Sequence, residues 1–168
     1  MFEENVKFLM EKIQSENLVK KELAMYIFCQ IRITMNKVPD AKNAMPMVLA
    51  HYVIPQFQNE AMLLRARAND MFAEYGKHIE DFSVVKAATE IIYKCMSEDP
   101  SPLVRIKAAI AFHPILTHPQ TKELVKPVLK NILEIYLKLI ELFDLEPIVA
   151  ALECIIQDFS EEIAPFAI

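Results

Sequence analysis

The chain has 168 residues, is 54% hydrophobic, carries a formal net charge of −5 and contains a single glycine, Gly76. That apolar content suffices for a full core in one domain. The lone glycine excludes phosphate loops, dinucleotide turns and nucleophile elbows, each of which needs two or more, and it disfavours the tight hairpins of an all-β fold. No long basic run points to direct nucleic-acid binding, no charge-free apolar stretch reaches the ~18 residues of a membrane span, and Met1-Phe2-Glu3-Glu4 opens no signal-peptide pattern.

Helical periodicity runs nearly throughout. Phe2, Val6, Leu9 and Ile13 make the first apolar stripe, and a second helix covers roughly 18–36 before Pro39. A third helix spans about 44–58 and a fourth about 61–77, closing near Gly76. The fifth spans about 82–97. The sixth, about 101–116, follows the Asp99-Pro100-Ser101-Pro102 turn, with Pro102 near the first helical position, where a missing amide costs nothing. The seventh, about 120–142, sets Val125, Val128, Leu129, Ile132, Tyr136, Leu139, Ile140 and Phe143 opposite Glu123, Lys126, Lys130, Glu134, Lys138 and Glu141. The eighth, about 146–159, is led by Pro147.

A motif recurs along these helices: a basic residue, alanine three positions on, phenylalanine four further. The copies are Lys21–Ala24–Phe28, Arg65–Ala68–Phe72 and Arg105–Ala108–Phe112, with a chargeless fourth, Ile148–Ala151–Ile155. Starting positions 21, 65, 105 and 148 lie 44, 40 and 43 residues apart, the length of a HEAT or armadillo unit. The expected fold is therefore all-α, a HEAT-repeat α-solenoid of about four helix pairs at approximately 1–37, 43–78, 81–117 and 119–160, with the motif opening each second helix. The central alanine lets successive second helices approach closely. Pro55 and Pro127 fall inside first helices, where they bend the element, and Pro165 begins a similar context. Residues 161–168 read as the start of a next helix, so the chain is expected to be a segment of a longer solenoid that continues past Ile168.

Chemistry-bearing residues are few. Cys29, Cys95 and Cys154 lie 66 and 59 residues apart without pairing or zinc spacing, and read as small buried residues of a reducing compartment. His51, His78, His113 and His118 lack metal spacing, and Glu3-Glu4 and Glu161-Glu162 read as solvated helix starts. No serine stands in a recognisable arrangement with a histidine and an acid, so no catalytic residue, metal or cofactor is expected and the chain does not read as an enzyme. Arg65, Arg67, Arg105 and Lys107 are the candidate partner-binding residues, placed to meet acidic surfaces. The competing structural reading has Arg65 and Arg105 bonding Glu60 and Asp99 at the preceding turns, locking neighbouring repeats.

The stretches Leu64-Arg65-Ala66-Arg67-Ala68, Val104-Arg105-Ile106-Lys107-Ala108-Ala109-Ile110-Ala111 and Asp158-Phe159-Ser160-Glu161-Glu162-Ile163-Ala164-Pro165 resemble, in this order, the middle of the importin-β (karyopherin-β) superfamily, on its importin-seven/importin-eight branch. The similarity covers roughly 44–168; residues 1–43 match only as generic helical repeat. The resemblance implies a nuclear transport receptor that binds protein cargo and phenylalanine-glycine nucleoporins noncovalently and shuttles between cytoplasm and nucleus. Regulation by Ran-GTP is implied through parts outside this segment. Pockets for phenylalanine side chains would then form between adjacent first helices, with 44–58 and 82–97 as walls. The alternative is a HEAT-repeat scaffold subunit unrelated to transport.

Overall fold

The computed structural model describes residues 2–164, with side chains from residue 4 onward; the expected proline context at Pro165 lies outside the described residues. All regular structure in the described residues is helical. The elements are α1 (Phe2–Ile13), α2 (Leu18–Gln30), α3 (Arg32–Lys37), α4 (Pro39–Val48), a π-helical turn (Leu49–Val53), a 3₁₀ segment (Ile54–Gln58), α5 (Met62–Tyr75), a 3₁₀ turn (Gly76–His78), α6 (Phe82–Glu98), α7 (Pro102–Leu116), α8 (Pro119–Val125), a 3₁₀ turn (Lys126–Val128), α9 (Leu129–Phe143), α10 (Glu146–Asp158) and α11 (Ser160–Ile163). The fold is an all-α solenoid of the HEAT type.

Local chemistry explains the helix starts. Asn17 accepts the Lys20 amide and Asp81 the Ser83 amide, while proline opens α4, α7 and α8 at a position whose amide needs no partner. The prolines also divide two expected helices. The helix expected over 44–58 begins earlier, at Pro39, and reaches Pro55 through the π turn, where the Ile54 amide reaches back to the Leu49 carbonyl. The helix expected over 120–142 is split at Pro127, because proline offers no amide to the ladder. The helix expected over 18–36 breaks at Ile31, where neither glycine nor proline stands. There the structure supplies what the sequence does not show: the Tyr75 hydroxyl, from α5, donates to the carbonyl of Phe28 in the last turn of α2.

Within each pair the first helix packs on the second, α1 on α2 and α6 on α7. The second helices α2, α5, α7 and α10 pack in succession. Their motif alanines make that approach possible: Ala24, Ala68 and Ala108 are fully buried, as are Phe28, Phe72 and Phe112. Gly76 suits the same closeness rather than a special backbone conformation, since its φ is −54°. A Cβ there would meet the Ile115 side chain of α7 at 3.1 Å. In α9 the expected face is the buried one, with Leu129, Ile132, Tyr136 and Leu139 inside, and the Tyr136 hydroxyl donates to the carbonyl of Ala109 in α7.

Candidate binding surfaces

The four candidate basic residues all stand at the start of second helices, where the motif puts them, and each has a partner within the chain. Arg65 grips Asp99 with two parallel hydrogen bonds of 2.7 and 3.0 Å and uses its remaining nitrogen on the carbonyls of Asn59 and Glu60. The expected partnership with Glu60 is thus through backbone, not carboxylate. Asp99 belongs to Arg65 of the preceding repeat and not to Arg105, whose Nε instead donates to the Met96 carbonyl at 3.3 Å. The physical reason is reach: the turn before α7 packs beside the start of α5, and Asp99 is also bent inward by accepting the Ser101 amide. Burial alone would push the Asp99 carboxyl up, but the Arg65 hydrogen bonds and the Ser101 amide outweigh it and hold it below the usual carboxylate range.

Arg67 and Lys107 belong to a ladder that crosses three repeats. Arg67 of α5 bonds Glu22 of α2 at 2.6 Å and Asp70 at 2.8 Å, and Lys107 of α7 meets Asp70 at 3.0 Å. The Arg67 guanidinium also lies 4.8 Å above the Tyr26 ring. The side chains of Arg67 and Lys107 remain 22% and 35% exposed, so this ladder forms a surface, whereas Arg65 and Asp99 at 14% and 6% are interior.

Two clefts flank α6. On one side, Phe57 and Gln58 at the end of the 3₁₀ segment face Ile91, Lys94 and Cys95 across a cleft of about 300 Å³. On the other, Tyr93 and Phe112 face Leu124, Val125 and Val128 across one of about 120 Å³. The second is walled mainly by apolar side chains, the lining that suits an apolar ligand, whereas Gln58, Lys94, Glu98 and Asp99 make up half the wall of the first. Phe57 and Gln58 fall in the expected wall segment 44–58 and Ile91, Lys94 and Cys95 in 82–97, whereas Leu124 escaped the sequence reading, because an exposed residue at a helix end carries no periodic signal.

The remaining groups are structural. Burial raises the Cys29 thiol to about 12 and the Cys95 thiol to about 11, leaving both protonated and poorly nucleophilic. His113 and Lys122 both face Asp158, at 3.3 and 3.5 Å, tying α7, α8 and α10 together. Among the described residues no group of three or more histidine, cysteine, aspartate or glutamate side chains is placed to hold a metal ion, and no helix is long and apolar enough to cross a membrane.

Comparison with known proteins identifies relatives. No family model matches the chain, and no solved structure matches it significantly. A probable importin-7 homolog of Dictyostelium discoideum is 27% identical over 154 residues, 91% of this chain and 14% of that protein. An importin beta-like SAD2 homolog of Arabidopsis thaliana is 27% identical over 128 residues, 76% of this chain and 12% of that protein. Importin-8 of Homo sapiens is 24% identical over 153 residues, 89% of this chain and 15% of that protein. The chain therefore spans about a seventh of the length of these relatives. Over most of its length it is similar to the importin-seven/importin-eight branch of the importin-β receptors, and to a segment of them rather than to the whole.

Proposed function

We propose that the chain serves as a repeat segment of a nuclear transport receptor and recognises nucleoporins by taking phenylalanine side chains into the clefts on either side of α6. The observation that carries this reading is the pair of clefts itself, of about 300 and 120 Å³, on either side of one shared helix, the smaller mainly apolar and the larger offering Phe57, Ile91, Cys95 and Pro100 beside charged side chains. A cleft of this kind holds an aromatic ring without any covalent step, and the weak burial of one ring suits reversible, repeated contact. Protein cargo would lie along the ladder surface, where Arg67 and Lys107 keep partial exposure; Arg65 and Arg105 would act there mainly by holding the repeats in place. Regulation by Ran-GTP would fall to the complete receptor, through parts outside residues 1–168, and the receptor would shuttle between cytoplasm and nucleus.

The test is fluorescence anisotropy with a labelled peptide bearing phenylalanine-glycine repeats. Binding is expected to the parent chain and to weaken at least fivefold in Ile91→Glu, which lines one cleft, and in Leu124→Glu, which lines the other, with the melting temperature unchanged. Absence of binding to the parent, or equal binding by all three proteins, sinks the nucleoporin reading. A pull-down of the complete receptor with GTP-locked Ran tests the regulatory part. The second reading, a scaffold subunit outside transport, draws on the interlocked ion pairs between repeats; it would stand if the complete protein binds neither Ran nor nucleoporin peptide.

A further inference from the structure

We infer that the edge of the solenoid where α2, α5 and α7 begin is a docking surface for an amphipathic α-helix of a partner protein, apolar along one face and basic toward one end. The first turn of a helix ordinarily carries polar or acidic side chains, which suit its unpaired amides and the positive end of its dipole. Here the first turns of all three helices carry no acid and open on apolar pairs instead, Leu18-Val19, Met62-Leu63 and Pro102-Leu103. The pairs stand in one register, three and two residues before Lys21, Arg65 and Arg105. Nothing among the described residues covers them: Val19 is 74%, Leu63 56% and Leu103 37% exposed. Helix chemistry asks for none of these side chains and the core receives none, so their recurrence in three repeats points outward.

The edge is held in place before any partner arrives. Arg65 grips the Asp99 carboxylate and the carbonyls of Asn59 and Glu60, which fixes the turns before α5 and α7 side by side. Arg67 on Glu22 ties the start of α5 to α2. Preorganisation of this kind lowers the cost of association. Packed helices lie about 8–10 Å apart, so the apolar pairs recur at about that pitch. An α-helix advances about 10.5 Å in seven residues. A heptad with apolar a and d positions therefore offers one apolar pair to each repeat, and about 14 residues reach from α2 to α7. Charge gives the direction. Glu60 and Glu98, in the turns before α5 and α7, are exposed, and among the described residues no ion pair reaches their carboxylates. Arg65 and Arg105 beside them are spent within the chain, whereas the turn before α2 sets Lys20 and Lys21 against Glu16. At each turn the end of one helix meets the start of the next, so their dipoles oppose and the side chains decide the sign. The partner's bases accordingly lie over α5 and α7.

The experiment is fluorescence anisotropy of residues 1–168 with a labelled synthetic helix of three heptads, leucine at a and d, and lysine confined to its last heptad. Binding to the parent should weaken at least threefold in Leu63→Gln and in Leu103→Gln, with the melting temperature unchanged. It should stay at the parent level in Leu137→Gln, a comparably exposed leucine of α9. Glu60→Lys should weaken binding of this probe and strengthen binding of a second probe with glutamate in place of each lysine. Absence of binding to the parent overturns the inference. So does an equal loss in Leu137→Gln, the mark of indiscriminate adhesion by an apolar peptide. Both probes responding to Glu60→Lys in the same direction overturns the charge assignment. Loss in Ile91→Glu with full binding in Leu63→Gln puts the probe in the larger cleft beside α6 and also overturns the inference. The phenylalanine-glycine peptide should bind Leu63→Gln and Leu103→Gln as it binds the parent, so this inference and the nucleoporin reading fail separately.

Discussion

Asp99 shows how much one residue's role depends on its neighbours. Its carboxylate, 6% exposed, receives two hydrogen bonds from Arg65, and its pKa lies below the unfolded value despite burial. A depressed folded pKa stabilises the protein above the unfolded pKa of about 4, and that stability is lost as pH falls through the folded value. Asp99→Asn should therefore cost about 3 kcal/mol at neutral pH, the scale of breaking an interior ion pair, and the difference from the parent should shrink below about pH 4. Urea unfolding across pH 3 to 7 measures it, and a constant difference over that range would exclude the mechanism. The sequence announced that Arg65 and Asp99 stand at turns, but paired each base with its own preceding turn. The true partner is 34 residues away, and no local pattern encodes which repeat's acid a guanidinium reaches.

At the scale of elements, periodicity and proline account for nearly all the helices, and the misplacements have distinct causes. Pro127 and Pro55 divide helices that the sequence pattern predicts as bent but continuous, because proline offers no amide to the ladder. At the break near Ile31 the Phe28 carbonyl accepts the hydroxyl of Tyr75, a residue of another repeat. One helix end carries a measurable strain. Asp144 closes α9 with φ of 44°, the left-handed region that glycine adopts without cost. Because Asp144 is exposed and makes only a backbone contact at this cap, Asp144→Gly should raise stability by about 0.5–1 kcal/mol. A melting temperature that falls instead would show that its side chain has a structural role.

For the whole molecule, the ladder Glu22–Arg67–Asp70–Lys107 links three successive second helices by partly exposed ion pairs. Such pairs contribute little each, about 0–1 kcal/mol, and are screened by salt. They hold the relative angle of neighbouring repeats more than the fold itself, which rests on the buried alanines and phenylalanines. Arg67→Met, which keeps the contact with Tyr26 but removes the charge, should cost about 1 kcal/mol in low salt. In 0.5 M salt most of that difference should vanish, and denaturant titrations at the two salt concentrations measure it. A difference that persists in high salt would mean that the directed hydrogen bonds of Arg67 to Glu22 and Asp70, not screened charge, carry the link.

The repeat motif was legible from residues alone because it serves packing between neighbours of fixed type: alanine wherever two second helices touch, phenylalanine one turn further in, proline where a helix opens or bends. These demands are local and recur with the repeat, so the amino-acid sequence by itself determined the all-α solenoid, its period and its likeness to the importin-β receptors. The tertiary structure alone decided which base meets which acid, where α2 stops and which face of α6 opens into clefts. Each of those depends on the distance and angle between repeats some forty residues apart in the chain. That geometry is set by the summed packing of every side chain between them, and no single segment carries it.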